Sequence, residues 1–563
     1  MIAVALSCGS LHAQTKQQVD ACDGKGNPPL DAVIGGCTAL IQSGTYAGRD
    51  LSTVFVIRAT AYQRKGELDR AIQDYDQAIK LDPGSAVAYY NRGVAHGAKR
   101  DWDLAIQNYD QAIKHNPNDA AAFRNRGDAY QEKRQFDRAI EDFSQAVRLD
   151  PKDATAYAYR GGVHRRTGEI DRAISDYDQA LRLDPRNATT FYGRGVAYGS
   201  EEQWRRAIED YDEAIKLNPR FAAAFYSRGF AFQKQDELDR AIQDFDQAIR
   251  LEPNDASVLA LRGAAHQRKG ELDRAIEDFT RAIGIDARDA TAFYNRGVAY
   301  SGKRQWDSAI RDFDQAIRLQ PDDASTFANR GAAYQRKGDV DRALQDLDRA
   351  IELDPRLTVA FAYRGAAYSM RGDWDQAIQE YSRVVEIDPK DVAAFYNRGI
   401  AHSRRQKWDS AVQDFDQATR LNPDDASAFR NRGFAYQKLD QLDAAIADFD
   451  RAVQLNPDDA VAFVFRGGVH QRKGEIDRAI QDYGRALQLD PNDATTFYNR
   501  GVAYGSRKEW DLAVQDYDQA IKLEPRLAVA LYGRGVAKEQ MGDRAGADAD
   551  IAEARKIDPD IGK

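Results

Sequence analysis

The chain has 563 residues, 43 % of them apolar and 30 % charged, with a net charge of −9. That balance is ordinary for a folded chain and argues against nucleic acid as the main partner, because phosphate binding needs a basic footprint. No apolar run reaches the roughly 18 residues that a membrane span requires.

The N-terminus differs from everything after it. Ile2 to Leu11 is a short apolar run followed by His12-Ala13 and Gln14, which reads as the end of a secretory signal peptide, residues 1–13, cut after Ala13. The basic segment that normally precedes such a run is missing, so the start reads as truncated. Cys8 follows Ala5-Leu6-Ser7, which is not a lipidation motif. The expected location is periplasmic or secreted, with a disordered cytoplasmic tail as the alternative.

Residues 14–51 read as an N-terminal cap. Asp31–Ile41 matches the second half of the later units in degenerate form, with Val33, Cys37 and Leu40 at its apolar positions. Two cysteines remain after cleavage, Cys22 and Cys37, and an even pair in an exported chain points to a disulfide. Closing that loop is worth about 3 kcal/mol by chain entropy. Two buried free thiols are the alternative. A metal site is disfavoured, because no histidine lies near either cysteine.

From Ser52 to Ile561 the sequence repeats every 34 residues, fifteen times. A proline recurs at that interval from Pro83 to Pro559, with Ala287 the one substitution. Such a period marks a solenoid rather than a single core. The unit Ala290–Asp323 shows the plan. Phe293, Gly297 and Tyr300 lie on one face of a first helix. Ala309, Phe313 and Ala316 lie on one face of a second. Lys303-Arg304-Gln305 is the turn between them, often glycine elsewhere, and Pro321 ends the unit.

The pattern aromatic-x-x-x-Gly-x-x-Tyr, Ala-x-x-x-aromatic-x-x-Ala, Pro resembles the tetratricopeptide repeat over residues 52–561. The resemblance implies an all-α, right-handed α-solenoid superhelix of about fifteen helix-turn-helix repeats, with a concave groove lined by the first helices. Gly297 and Ala309 are small so that the two helices can approach. All six tryptophans, Trp306 among them, sit at one repeat position and read as packing residues. The five histidines at the usual tyrosine position (His96, His164, His266, His402, His470) lie on separate repeats and read as packing substitutes. Every third unit resembles its counterpart best, so any functional pattern should recur every 102 residues. In the last repeat, residues 528–561, Lys538, Arg544 and Ile551 replace large residues, which reads as a C-terminal cap.

Outside the repeats too little chain remains for an enzyme domain, and no phosphate loop, zinc cluster or nucleophile motif is present. The expectation is a non-enzyme without cofactor or metal. Two repeated features carry hypotheses. The first is structural: every repeat has an arginine in its first helix and fourteen have an acid in the second. This predicts a ladder of ion pairs such as Arg296–Asp312 and Arg398–Asp414. The second is the groove. Asn91, Asn125, Asn295, Asn329, Asn397, Asn431 and Asn499 precede that arginine, and a carboxamide can bind an extended backbone without reading side chains. Tyr90, Tyr294, Tyr396 and Tyr498, with Tyr192 and Tyr226, stand beside them as aromatic anchors. The asparagines resemble the ladder in the repeat domain of O-GlcNAc transferase. The competing reading is that Tyr-Asn-Arg-Gly is only a packing solution.

Chaperone-binding relatives carry basic residues one turn before the asparagine. Here those positions hold Val87, Ala121, Thr291, Ser325 or Ala393, so that clamp is absent. Basic residues at the end of the first helix, such as Arg166 and Arg268, read as solvated turn residues, with a surface for acidic partners as the alternative. The expected function is a protein-interaction scaffold that binds extended peptides or helices in the groove. The alternatives are a recruitment or regulatory subunit tethering an envelope enzyme or secretion complex, and a homo-oligomer built by self-association.

Overall fold

In the computed structural model residues 11–562 are described, and among them the secondary structure is α-helical throughout, 32 helices without a strand. The run Ile2–Ser10 and Cys8 within it, read above as signal-like, lie outside the described residues. The chain divides into two units, Met1–Ala287 and Arg288–Lys563. The division falls where the recurring proline is missing. Each unit is a solenoid of helix pairs, one pair per 34-residue repeat. Repeats are numbered here from Ser52, so the first unit holds repeats 1–7 and the second repeats 8–15.

Each pair is built by local chemistry. In repeat 8 the first helix, Ala290–Gly302, is capped by Asp289, whose carboxylate accepts from the Ala292 N–H. The turn then needs one residue in the left-handed region. Glycine fills it in repeats 1, 4, 7, 9, 10, 13 and 15 (Gly66 to Gly542), and Arg304, Asp440 and other side-chain-bearing residues fill it in the remaining eight. The second helix, Trp306–Leu319, buries Ala309, Ile310, Asp312, Phe313 and Ala316.

The two helices of a pair meet at the glycine. A Cβ on Gly297 would lie 2.7 Å from Phe313 Cε1. Equivalent contacts recur down both units, as at Gly433 against Phe449, 2.9 Å. The ring on the second helix therefore occupies the space that the missing side chain leaves, and its far side faces the next repeat. Phe313, fully buried, packs with Ala309 and with Ala333 of repeat 9. Trp306 is half-buried in the same cluster, as a packing residue.

The N-terminal cap is a full helix pair rather than a half-unit. Leu11–Cys22 packs against Leu30–Ser43, and the Cys22–Cys37 disulfide joins them. The first of these helices has no aromatic-glycine pattern (LHAQTKQQVDAC), which hides it from repeat reading. It starts at Leu11, so the expected cut after Ala13 falls inside it. Gly36 allows the close crossing: a Cβ there would lie 2.8 Å from the Gln18 carbonyl oxygen, which is backbone and cannot move aside. Cys22 and Cys37 are buried with Val33 and Leu40 against Val54 and Ala61 of repeat 1. Reduction, or the Cys22→Ser/Cys37→Ser variant, is expected to cost about 3 kcal/mol of local stability. Hydrogen exchange should then rise across residues 16–43 and stay unchanged in repeats 8–15.

Candidate functional site

The arginine in the first helix is the structural centre of every repeat. Arg296 Nε and Nη2 donate to Asp312 at 2.7 and 2.8 Å. Arg398 binds Asp414 through the same two nitrogens, at 3.0 and 2.7 Å. Most of these arginines use a third nitrogen as well. Arg126 Nη1 donates to Asp110 of repeat 2 at 2.6 Å, and Arg330 Nη1 donates to Asp314 of repeat 8 at 2.6 Å. Arg398 reaches Ser382 instead, 3.1 Å away. The ladder thus joins successive repeats as well as the two helices of one. Two aspartates two residues apart on a helix point about 200° from each other. Asp312 therefore turns to its own first helix, while Asp314 turns to the first helix of the next repeat. Asp314 and its equivalents are bridging groups between repeats.

Electrostatics agree with this geometry. The hydrogen bond to Asp312 raises Arg296 above the ordinary arginine range. Burial pushes the carboxyls of Asp142, Asp210, Asp244 and Asp448 up, and their arginines oppose that shift. Arginine does not give up its proton, so each pair keeps its cation. An aromatic ring one turn earlier covers the guanidinium, as Phe327 does Arg330 at 5.5 Å. In repeat 2 Asn108 stands in for the acid: its Oδ1 accepts from Arg92 Nε, and its Nδ2 donates to the Leu104 carbonyl.

The groove residues divide into two classes. Asn125 Nδ2 donates to Tyr90 Oη at 2.9 Å, Asn329 to Tyr294 at 3.2 Å, and Asn431 to Tyr396 at 2.9 Å. In each case the second asparagine of a neighbouring pair is spent on the tyrosine of the preceding repeat. Those tyrosine rings in turn rest on the buried ring of their own second helix, Tyr294 on Phe313 at 6.0 Å for example. Tyr498 packs on Tyr517 in the same way, but repeat 15 offers it Gly533 in place of an asparagine. The side-chain amides of Asn91, Asn295, Asn397 and Asn499, all half-buried, take part in no protein hydrogen bond among the described residues. Spacing alone did not separate the two classes, because the partner tyrosine lies 35 residues away.

Clefts open between neighbouring first helices. One of about 300 Å3 is lined by Thr291, Tyr294, Ser325 and Thr326. Another of about 350 Å3 is lined by Tyr192, Tyr226, Ala222, Ala223 and Ser257. Thr291 and Ser325 are the positions where a basic clamp would stand, and their short side chains leave the space open.

Elsewhere the repeated polar residues serve packing. His266 and His470 are buried, each with Nδ1 2.8 Å from a turn glutamate, Glu271 and Glu475. Arg268 and Arg472 are not free turn residues: each binds the turn of the preceding repeat, through Asp236 and Asp440 at 2.7 Å. Lys538 in the last repeat donates to Asp550 at 2.8 Å. No helix among the described residues is long and apolar enough to cross a membrane.

A model of the cilia and flagella-associated protein 70 C-terminal domain matches residues 16–257. Models of the tetratricopeptide repeat match residues 297–364 and 400–466, then 268–304, 365–406 and 467–507, and 494–527. The chain is a tetratricopeptide repeat protein. Its repeats make it a protein-interaction scaffold. No curated protein sequence matches it. Among solved structures the array is similar to the APC/C hetero-tetramer Cut9–Hcn1, at 17 % identity over 88 % of this chain and 97 % of that one, TM-score 0.36. It is also similar to a tetratricopeptide repeat protein from Parabacteroides merdae, at 20 % identity over 44 % and 98 %, TM-score 0.36. A third is YrrB, described as a TPR protein with an unusual peptide-binding site, at 28 % identity over 33 % and 95 %, TM-score 0.28.

Proposed function

We propose that the array binds extended polypeptide segments along its first helices. Each unit holds its own segment: the backbone is bound by the Asn91 amide in the first unit and by the amides of Asn295, Asn397 and Asn499 in the second, and side chains enter the cleft between Tyr192 and Tyr226 in the first unit and the cleft beside Tyr294 in the second. The observation that carries this reading is the division of the asparagines. Three are consumed by internal tyrosines, whereas four half-buried carboxamides form no hydrogen bond among the described residues. A partly exposed amide that no internal group occupies is open to the N–H and C=O of an incoming backbone. The buried Cys22–Cys37 disulfide supports an oxidising, exported setting for this binding.

Panning a random peptide library on the full chain tests the reading. Peptides that bind the wild type should bind the quadruple variant N91A/N295A/N397A/N499A at least about tenfold more weakly. Its helicity should match that of the wild type. Absence of enriched peptides, or equal affinity for the variant, overturns it. Changing Asn329 and Asn431 instead should lower stability, because it uncouples Tyr294 and Tyr396.

A further inference from the structure

One first-helix position, directly after the glycine, carries Val, Ala, Ile, Phe, Gly or Thr in fourteen repeats and an acid in the third, Asp128. The Asp128 side chain is half-buried and has no hydrogen bond and no ion pair among the described residues. The cations near it do not neutralise it. Arg124, one turn earlier, is committed to Asp153, the cap of the first helix of repeat 4, at 2.6 Å. Arg166, on the neighbouring first helix, is exposed and forms no ion pair among the described residues. Glu132, one turn later, adds negative charge. Burial pushes the Asp128 carboxyl up, and Glu132 adds to the shift while Arg124 and Arg166 oppose it. The charge is felt by its neighbours: after burial, Asp128 is the largest influence raising Tyr159. Tyr159 is 39 % exposed and rests on Phe143 at 5.7 Å.

The same frame occurs again 306 residues on, without the charge. In repeats 11 to 13 Asn431 binds Tyr396 and Arg430 binds Asp459 at 2.7 Å, as Asn125 binds Tyr90 and Arg124 binds Asp153. Phe434 stands where Asp128 stands and Phe465 where Tyr159 stands, with their rings 5.0 Å apart. The conserved frame shows that the fold accepts two apolar rings at this place, so packing does not require the acid. A partly buried carboxylate without a partner costs stability. Elsewhere in the array a carboxylate beside a ring is how an arginine is held, as Asp346 and Phe327 hold Arg330.

We propose that Asp128, with Tyr159, is the specificity-determining pocket for a lysine or arginine side chain of the bound segment, and that Phe434–Phe465 is its apolar counterpart. Rim-exposed cations would gain little. One entering beside Asp128 pairs a charge that the fold has already desolvated in part, and the Tyr159 ring offers it a cation–π face. This rests on the groove reading above and names what one part of that groove selects.

The test uses the full chain and the same random peptide library, panned separately on wild type, Asp128→Asn and Asp128→Lys. Wild type should enrich peptides with Lys or Arg at one fixed position. Replacing that residue by Gln should weaken binding at least about tenfold on wild type and leave it unchanged on Asp128→Asn. Asp128→Lys should enrich Asp or Glu there. Asp128→Val should raise the denaturation midpoint while losing the basic preference, which a purely structural carboxylate would not do. Peptides enriched without a basic position, or with the same basic preference on Asp128→Asn, overturn this proposal and leave the groove reading standing. No enriched peptide at all overturns both.

Discussion

Arg330→Ala is expected to lower stability by about 3–5 kcal/mol, the range for removing one partner of a buried ion pair. Arg330 donates twice to Asp346, which is 7 % exposed, and its removal leaves that buried side chain without its cationic partner. The third bond, to Asp314 at 2.6 Å, adds little because Asp314 is more exposed. That third bond nevertheless decides where the damage spreads. Repeats in an array contact only their neighbours, so hydrogen exchange should rise in repeats 8 and 9 and not in repeats 1–4. Arg330→Met with Asp346→Leu should recover most of the loss, since the pair is then replaced by apolar groups of similar size. If Arg330→Ala shifts neither the chemical denaturation midpoint nor local exchange, the ladder does not stabilise the array.

The second large effect belongs to the ring behind the glycine. Phe449→Ala should cost about 3–5 kcal/mol, through lost burial and the cavity left among Ala445, Val469 and Phe465. Phe449→Leu should cost clearly less, because repeat 9 already uses Leu347 at this position, fully buried. Equal losses for the two variants would mean that the cavity is not the cause. Since arrays of this length need not unfold in one step, the comparison is best read as exchange protection across repeats 12 and 13.

Much of this protein is legible in one dimension. The 34-residue period places thirty helices, the glycine–ring contact and the Arg–Asp pair within each repeat, because all these partners lie inside a single copied unit. The small Thr291 and Ser325 rule out the basic clamp before any coordinates are seen. The helix Leu11–Cys22 was not legible, since it packs through Gly36 and a disulfide rather than through the repeat pattern.

What only the tertiary structure decides lies between repeats. Tyr precedes Asn91 and Asn295 but not Asn125 or Asn329, yet only the stacking of repeats shows that the latter two are spent on a tyrosine 35 residues earlier. The D-x-D pair in the second helix does not announce that its second member crosses to the next arginine. Asp128 is visible in the sequence as an odd residue, but its missing partner is not. The physical reason is common to all of these. A period fixes neighbours along one helix pair, whereas a partner 16 or 35 residues away is chosen by how two pairs stack, and that follows from side-chain packing in three dimensions rather than from order along the chain.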